Sequence, residues 1–319
     1  MRQAGRILKE YRAIRSQQKS FKALVKNNEL AAEVTMQPVD ILGVDAAIIF
    51  SDILVIPEAM GCNYEIVEKV GPIFERPVRS AADIEKLISG EDAAQQLDYV
   101  YNSLKIVSNG LADDKALIGF AGAPWTIFAY MIEGKGSKNF AQPKAFLMQH
   151  NDLSHKLLQK ITSSTIAYLK GQIKAGAEVL QIFDSWAGYL SPEMFRTYAL
   201  PYIRQIVDAI DEVPVIVFAK GAWYALEDLD KLNCEAISLD WTITPSFARE
   251  HIKNKVLQGN MDPSILLGSE EIITSTTLTM MEQFGSQYIV NLGHGLLPNT
   301  PVERVKQYVD LAKSYRYSS

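Results

Sequence analysis

Cysteine is scarce in this chain, with two residues, Cys62 and Cys234, in 319. They cannot build a disulfide framework, and their spacing is not that of metal ligands. A reducing cytosol is therefore the expected compartment. Histidine is scarce as well, with four residues, and no H-E-x-x-H or His/Cys cluster is present to hold zinc. The G-x-S-x-G elbow is missing, and no strand leads into a G-x-G-x-x-G turn, so neither a serine hydrolase nor a dinucleotide site is expected. Positive charge is not in excess. Lys+Arg total 32 against 37 Asp+Glu, for a net charge of −5, whereas bulk binders of nucleic acid or anionic membrane are more often basic. Long apolar runs are also lacking. The longest uncharged stretch, residues 116–132, contains Gly119, Gly122 and Pro124 and falls short of the ~20 residues of a spanning helix. The opening MRQAGRILKEYR is too charged for a secretory signal, and Glu10 argues against a presequence.

What the sequence does have is alternation. Short runs rich in Val, Ile and Phe occur at 45–50, 116–120, 178–183, 214–218, 236–239, 255–257 and 288–292. Each is almost continuously hydrophobic, as parallel strands covered on both faces are. Helical periodicity fills the intervals at 21–42, 81–87, 92–107, 144–175, 191–210 and 270–285. Ser191-Pro192, Thr244-Pro245 and Thr300-Pro301 read as N-caps with proline in the first turn. The alternation predicts a single α/β domain over residues 1–319. Small and polar residues follow almost every strand, which favours a (β/α)₈ barrel over a doubly wound sheet, because a barrel gathers those positions on one rim. The pattern yields seven strands where a barrel has eight. The expected architecture is therefore a TIM barrel lacking its N-terminal helix and first strand.

Several rim positions carry chemistry. Arg2, Arg6, Arg12 and Arg15 crowd the first fifteen residues. Guanidinium groups pair bidentately with carboxylates and phosphates, although a solvated basic start fits the same pattern. Asp52 follows the apolar run AAIIFS, where a carboxylate is costly unless paired or used. Asp184-Ser185 and Asp240 occupy equivalent positions after their own strands. His294 sits between glycines in NLGHG, after the last strand, while His150, His155 and His251 fall on helices and read as surface residues. Tyr130 precedes GKGSK at 134–138, which lacks phosphate-loop spacing and reads as a lid. The set of arginines, carboxylates, hydroxyls and one histidine suits proton chemistry on an anionic organic substrate.

Long motifs then carry a resemblance. MRQAGR at 1–6 with EYR at 10–12, and GVDAAIIFSDILVIPEAMG at 43–61, resemble the signatures of uroporphyrinogen decarboxylases. So do GAPWTIFAYMIEGKGSK (122–138), QIFDSWAG (181–188), FAKG (218–221), LDWT (239–242), QGNMDP (258–263) and VNLGHGLLP (290–298), in family order. The resemblance implies a (β/α)₈ barrel, a cytoplasmic homodimer and no cofactor or metal. It also implies the conversion of the four acetate side chains of uroporphyrinogen III to methyls, giving coproporphyrinogen III and CO₂. Carried over position by position, it implies that Arg2, Gln3, Ala4, Arg6, Arg15, Asp52, Tyr130, Phe183, Ser185 and His294 meet the substrate, with Asp52, Arg2, Tyr130 and His294 catalytic. The chain departs from the pattern at Ile7 and Lys9, where the family has Tyr and Pro, and in starting at the motif's methionine. Two other readings share these features: a non-catalytic or truncated tetrapyrrole-binding paralogue, and a zinc/corrinoid methyltransferase of the same superfamily.

Overall fold

The computed structural model describes residues 1–67 and 70–317. All seven apolar runs are strands: β1 (Ala46–Ile48), β4 (Ala116–Gly122), β5 (Val179–Asp184), β6 (Val215–Ala219), β7 (Ala236–Ser238), β8 (Val256–Met261) and β9 (Tyr288–Leu292). They form one parallel sheet in the order β1-β4-β5-β6-β7-β8-β9. The sheet curls. Gln181 on β5 donates through Nε2 to Gln258 Oε1 on β8 (3.3 Å), although two strands lie between them in the sheet. Residues from every strand, from Ile48 on β1 to Asn291 on β9, face one small internal cavity. Strand pairings such as Phe183↔Phe218 and Asp184↔Ala219 align the C-terminal ends along one rim. Among the described residues β1 and β9 are the two edges.

Helices wrap the outside with Leu104, Leu158, Ile161 and Ile206 facing inward, all fully buried. Their starts follow the sequence. Ser191 accepts from the Met194 amide, Thr244 from Phe247 and Ser269 from Ile272, each satisfying an otherwise orphaned N–H. Thr300-Pro301 differs: the helix begins at Val302 with Pro301 itself at the N-cap, and the Thr300 hydroxyl is buried without a partner.

Three predicted helices are broken in two, and a fourth, 92–107, is interrupted by a 3-10 turn at Gln95–Leu97. Residues 21–42 divide into Phe21–Val25 and Asn28–Leu42, with Asn27 capping the second piece. Residues 144–175 divide at His150 into Ala141–Gln149 and Asn151–Lys174. Residues 191–210 divide at Ala199, because Pro201 lacks an N–H and crowds the preceding turn. A hairpin not seen in the pattern pairs β2 (Tyr64–Val67) with β3 (Gly71–Phe74). Only Tyr64 and Phe74 of it are buried, so it has neither the continuous apolarity of a barrel strand nor a regular alternation. The hairpin grips the 134–138 segment. The Phe74 amide donates to Gly134 O (2.8 Å), and Ile73 bridges to Lys135.

Candidate active site

The rim holds a cavity of about 240 Å³. Arg2, Gln3, Ala4 and Arg6 line it together with Asp52 and Phe183, and Val34, Pro38 and Val44 add apolar surface. A second cavity of about 30 Å³, holding His294, opens beside it, and both share Met1, Arg2, Ile48 and Phe183. Arg2 therefore stands at the seam between the Asp52 side and the His294 side.

Short-range backbone geometry puts the arginines there. Gln3 takes a left-handed conformation, φ 59°, which costs a non-glycine residue on the order of 1–3 kcal/mol and is concentrated at functional sites. The turn leads into a single helical turn at Ala4–Ile7. Three contacts tie it to the loop after β9. The Leu296 amide donates to Arg2 O (3.2 Å), Arg6 Nη1 donates to Leu296 O (3.3 Å), and the Gln3 side chain fills the space where a Cβ on Gly295 would stand. Arg2 lies over the Phe183 ring, 4.6 Å from its centroid, and its Nη1 is buried with no hydrogen-bond partner. Burial draws its pKa from 12.5 down to about 10, with Arg6 adding repulsion and Tyr130 and Asp52 opposing it. Arg6 is lowered as well, mainly by burial.

Asp52 closes the loop after β1. Its Oδ1 accepts from the Leu54 amide at 3.0 Å. Burial raises its pKa, against the hydrogen bonds from Leu54, Tyr64 and Ile53. Among the described residues no lysine or arginine is in ion-pair contact with it. A carboxylate in this state gains most from a cation that forms beside it. His294 is driven the other way. Burial first, then Arg2, Lys220 and Arg6, push its pKa down to about 3, so at neutral pH it is an uncharged imidazole.

Tyr130 is on the helix Pro124–Glu133. Burial pushes its hydroxyl up to about 12, and the charges of Asp52 and Arg2 both act on it. Ser185 follows β5, nearly buried, with its Oγ unpartnered. Neither Tyr130 nor Ser185 lines the two cavities. Arg15 is not brought to them either: it lies near the end of the helix Lys9–Gln17 and donates to Gln18 O (3.2 Å). Asp240, a rim carboxylate in the sequence, has both oxygens occupied. Oδ2 accepts from the Gly221 amide (2.6 Å) and Oδ1 from the Thr242 amide and hydroxyl (2.9 and 2.5 Å). His155 and His251 are half-buried rather than on the surface, His155 Nδ1 standing 2.6 Å from the Tyr202 hydroxyl.

Sequence reasoning missed the polar layer beneath His294. Gln181, Ser238, Gln258 and Asn291 point inward from four strands and line the smaller cavity. The available signal was a glutamine inside an otherwise apolar run, in VLQIFD and again in VLQGN. Among the described residues no three His, Cys, Asp or Glu side chains gather as a metal-holding group. No described helix is long and apolar enough to cross a membrane.

The position of His294 depends on Gly293. A Cβ there would stand 2.5 Å from the Trp241 backbone nitrogen, 2.9 Å from Asn260 O and 3.0 Å from Asp240 C, all backbone atoms that cannot swing aside. Gly293→Ala is expected to cost ~1–3 kcal/mol as overpacking and to displace His294. A lower melting temperature together with lower turnover is the expected result; an unchanged melt would contradict this packing.

The sequence model of the uroporphyrinogen decarboxylase (URO-D) family matches residues 1–315. This chain belongs to that family. Relatives agree over almost their whole length. The uroporphyrinogen decarboxylase of Chloroherpeton thalassium is 48% identical, covering 98% of this chain and 91% of the relative. That of Schizosaccharomyces pombe is 45% identical, covering 100% and 92%. Among solved structures, a methyltransferase from Methanosarcina mazei superposes with a TM-score of 0.80 over 90% of this chain and 86% of its own, at 22% identity. That likeness extends to the fold, and the barrel architecture is common to both. The decarboxylase family and the barrel agree with the expectations drawn from the motifs.

Proposed function

We propose that this chain is a cofactor-independent carboxy-lyase that converts uroporphyrinogen III to coproporphyrinogen III. The reading includes one barrel domain over residues 1–319 and a homodimer in the cytosol. The observation that carries it is the meeting of Asp52, Arg2 and Arg6 in one cavity, with His294 reached across Arg2. An eight-carboxylate substrate accounts for guanidiniums buried in an acidic protein. The cavity is smaller than the ~300–1,000 Å³ of sites that enclose a ligand whole. One pyrrole with its acetate enters, and the remaining arms stay at the rim.

Each acetate consumes one proton and releases one CO₂. Protonation of the ring carbon next to the acetate-bearing one makes an iminium-like pyrrole. The C–CO₂ bond then breaks, and its electron pair neutralises that cation to leave an exocyclic methylene. Protonation of the methylene and loss of the ring proton give the methyl group. The carboxylate of Asp52 stabilises the cation as it forms, a preorganised electrostatic effect. Arg2 and Arg6 hold the acidic arms. His294, an uncharged imidazole in the free protein, hydrogen-bonds the substrate. Arg2 has a proton, and burial weakens its hold on it. Tyr130 and Ser185, outside both cavities, meet the arms that stay at the rim.

Anaerobic incubation with uroporphyrinogen III, followed by chromatography of the oxidised porphyrins, tests the reading. Successive loss of carboxylates down to four is expected. Tight binding without CO₂ release would favour the non-catalytic paralogue instead.

A further inference from the structure

Asp184 is the last residue of β5 and fully buried. Among the described residues it has no ion-pair partner, and its Oδ2 has no hydrogen-bond partner. Its Oδ1 accepts from the Thr126 hydroxyl at 2.6 Å. The same hydroxyl accepts from the Trp186 amide at 3.1 Å. One threonine therefore links the helix Pro124–Glu133 to both sides of Ser185. Trp125 adds a second link, its Nε1 donating to Trp186 O (3.0 Å). Thr126 and Tyr130 are four residues apart and so share a face of that helix. The Trp186 ring packs 5.9 Å from Tyr130 and 4.8 Å from Phe140.

We propose that Thr126 and Asp184 are positioning residues, a buried clamp that sets the Ser185 and Tyr130 hydroxyls relative to each other across the loops after β4 and β5. The inference rests on the decarboxylase reading, because it assigns those two hydroxyls to substrate. Residues 184 and 186 are each fixed. Asp184 O accepts from the Lys220 amide (3.0 Å), and Trp186 is held at both its N–H and its carbonyl. Between them Ser185 has no choice of backbone, while its hydroxyl is left without a protein partner. A clamp that only served stability would have no reason to leave the intervening hydroxyl unspent. Burial also raises the Asp184 pKa to about 7, which suits a carboxyl used as a hydrogen-bonding group rather than as a charge.

Steady-state kinetics on Thr126→Val, which keeps volume and removes the bridge, tests this. A misplacement of ~1 Å can cost ~10²-fold in rate, so kcat is expected to fall about 10–100-fold with KM within about 3-fold, and partly decarboxylated porphyrins to accumulate. Thr126→Ser restores the hydroxyl and the rate. Asp184→Asn keeps the acceptor for Thr126 and is expected to retain turnover within about 3-fold. In a Ser185→Ala background Thr126→Val costs much less than it does alone, because contacts acting through one another are not additive. If Thr126→Val does not fold, Asp184→Leu removes the same bond from the other side with the same expectation. A folded Thr126→Val protein with wild-type kcat, or with effects additive to Ser185→Ala, overturns the clamp while leaving the decarboxylase reading intact. An inactive wild-type enzyme overturns that reading and the clamp with it.

Discussion

Asp52→Asn leaves a folded protein that decarboxylates uroporphyrinogen ~10²–10³-fold more slowly, the scale of losing one preorganised electrostatic contact at a reacting centre. Asparagine keeps the acceptor that Asp52 Oδ1 offers to the Leu54 amide, so the loop after β1 stays in place. What it removes is the charge. Burial already disfavours that charge, so the variant melts at or slightly above the wild-type temperature. A protein whose turnover falls while its stability holds separates the two roles of the residue. Near-normal turnover would take Asp52 out of the chemistry.

Arg2→Met acts on stability and activity in opposite directions. The fall of the Arg2 pKa from 12.5 to about 10 corresponds to roughly 3 kcal/mol of unfavourable burial at ~1.4 kcal/mol per unit. The sign is clear. The guanidinium is charged in both the folded and unfolded chain at neutral pH, so the cost is present throughout the working range and shrinks only as pH climbs past 10. Stacking on Phe183 returns ~2 kcal/mol, and the unpartnered Nη1 returns nothing. Replacing a buried ion pair by apolar side chains of similar volume is often neutral or stabilising, by up to ~4 kcal/mol, and among the described residues Arg2 has no ion-pair partner to be left stranded. The variant is therefore expected to melt higher. Substrate binding moves the other way, since losing one half of a buried charge pair costs ~2–5 kcal/mol, seen as a 30-fold or greater fall in kcat/KM. A lower melting temperature would mean the cation is stabilising where it stands. Unchanged kinetics would mean that it does not grip the substrate.

The strands were readable because burial on both faces leaves an unambiguous mark, as in Pro214 to Phe218, where nothing polar intervenes. The breaks in the helices were less visible. Asn27 and His150 sit inside periodic stretches, and only tertiary packing decides that the chain turns there. The β2–β3 hairpin was unreadable for a related reason: with only its two outermost residues buried, its apolar pattern is too short to register. At the site, Asp52 and His294 announced themselves by charge or imidazole at strand ends, and Arg2 by the crowding of arginines in the first fifteen residues. Thr126 gave no such signal. A threonine early in a helix is ordinary, and its significance lies in what stands 58 residues further along the chain.

The three contacts that bind residues 2, 3 and 6 to residues 295 and 296 join positions about 290 apart in the chain. A ribosome therefore exposes the arginines long before the histidine loop exists. Closing so distant a contact comes late in any folding sequence, since non-local pairings are made after local ones. Decarboxylation is thus competent only in a finished molecule, and half-made chains, though already carrying Arg2 and Arg6, have no assembled place to hold a porphyrinogen.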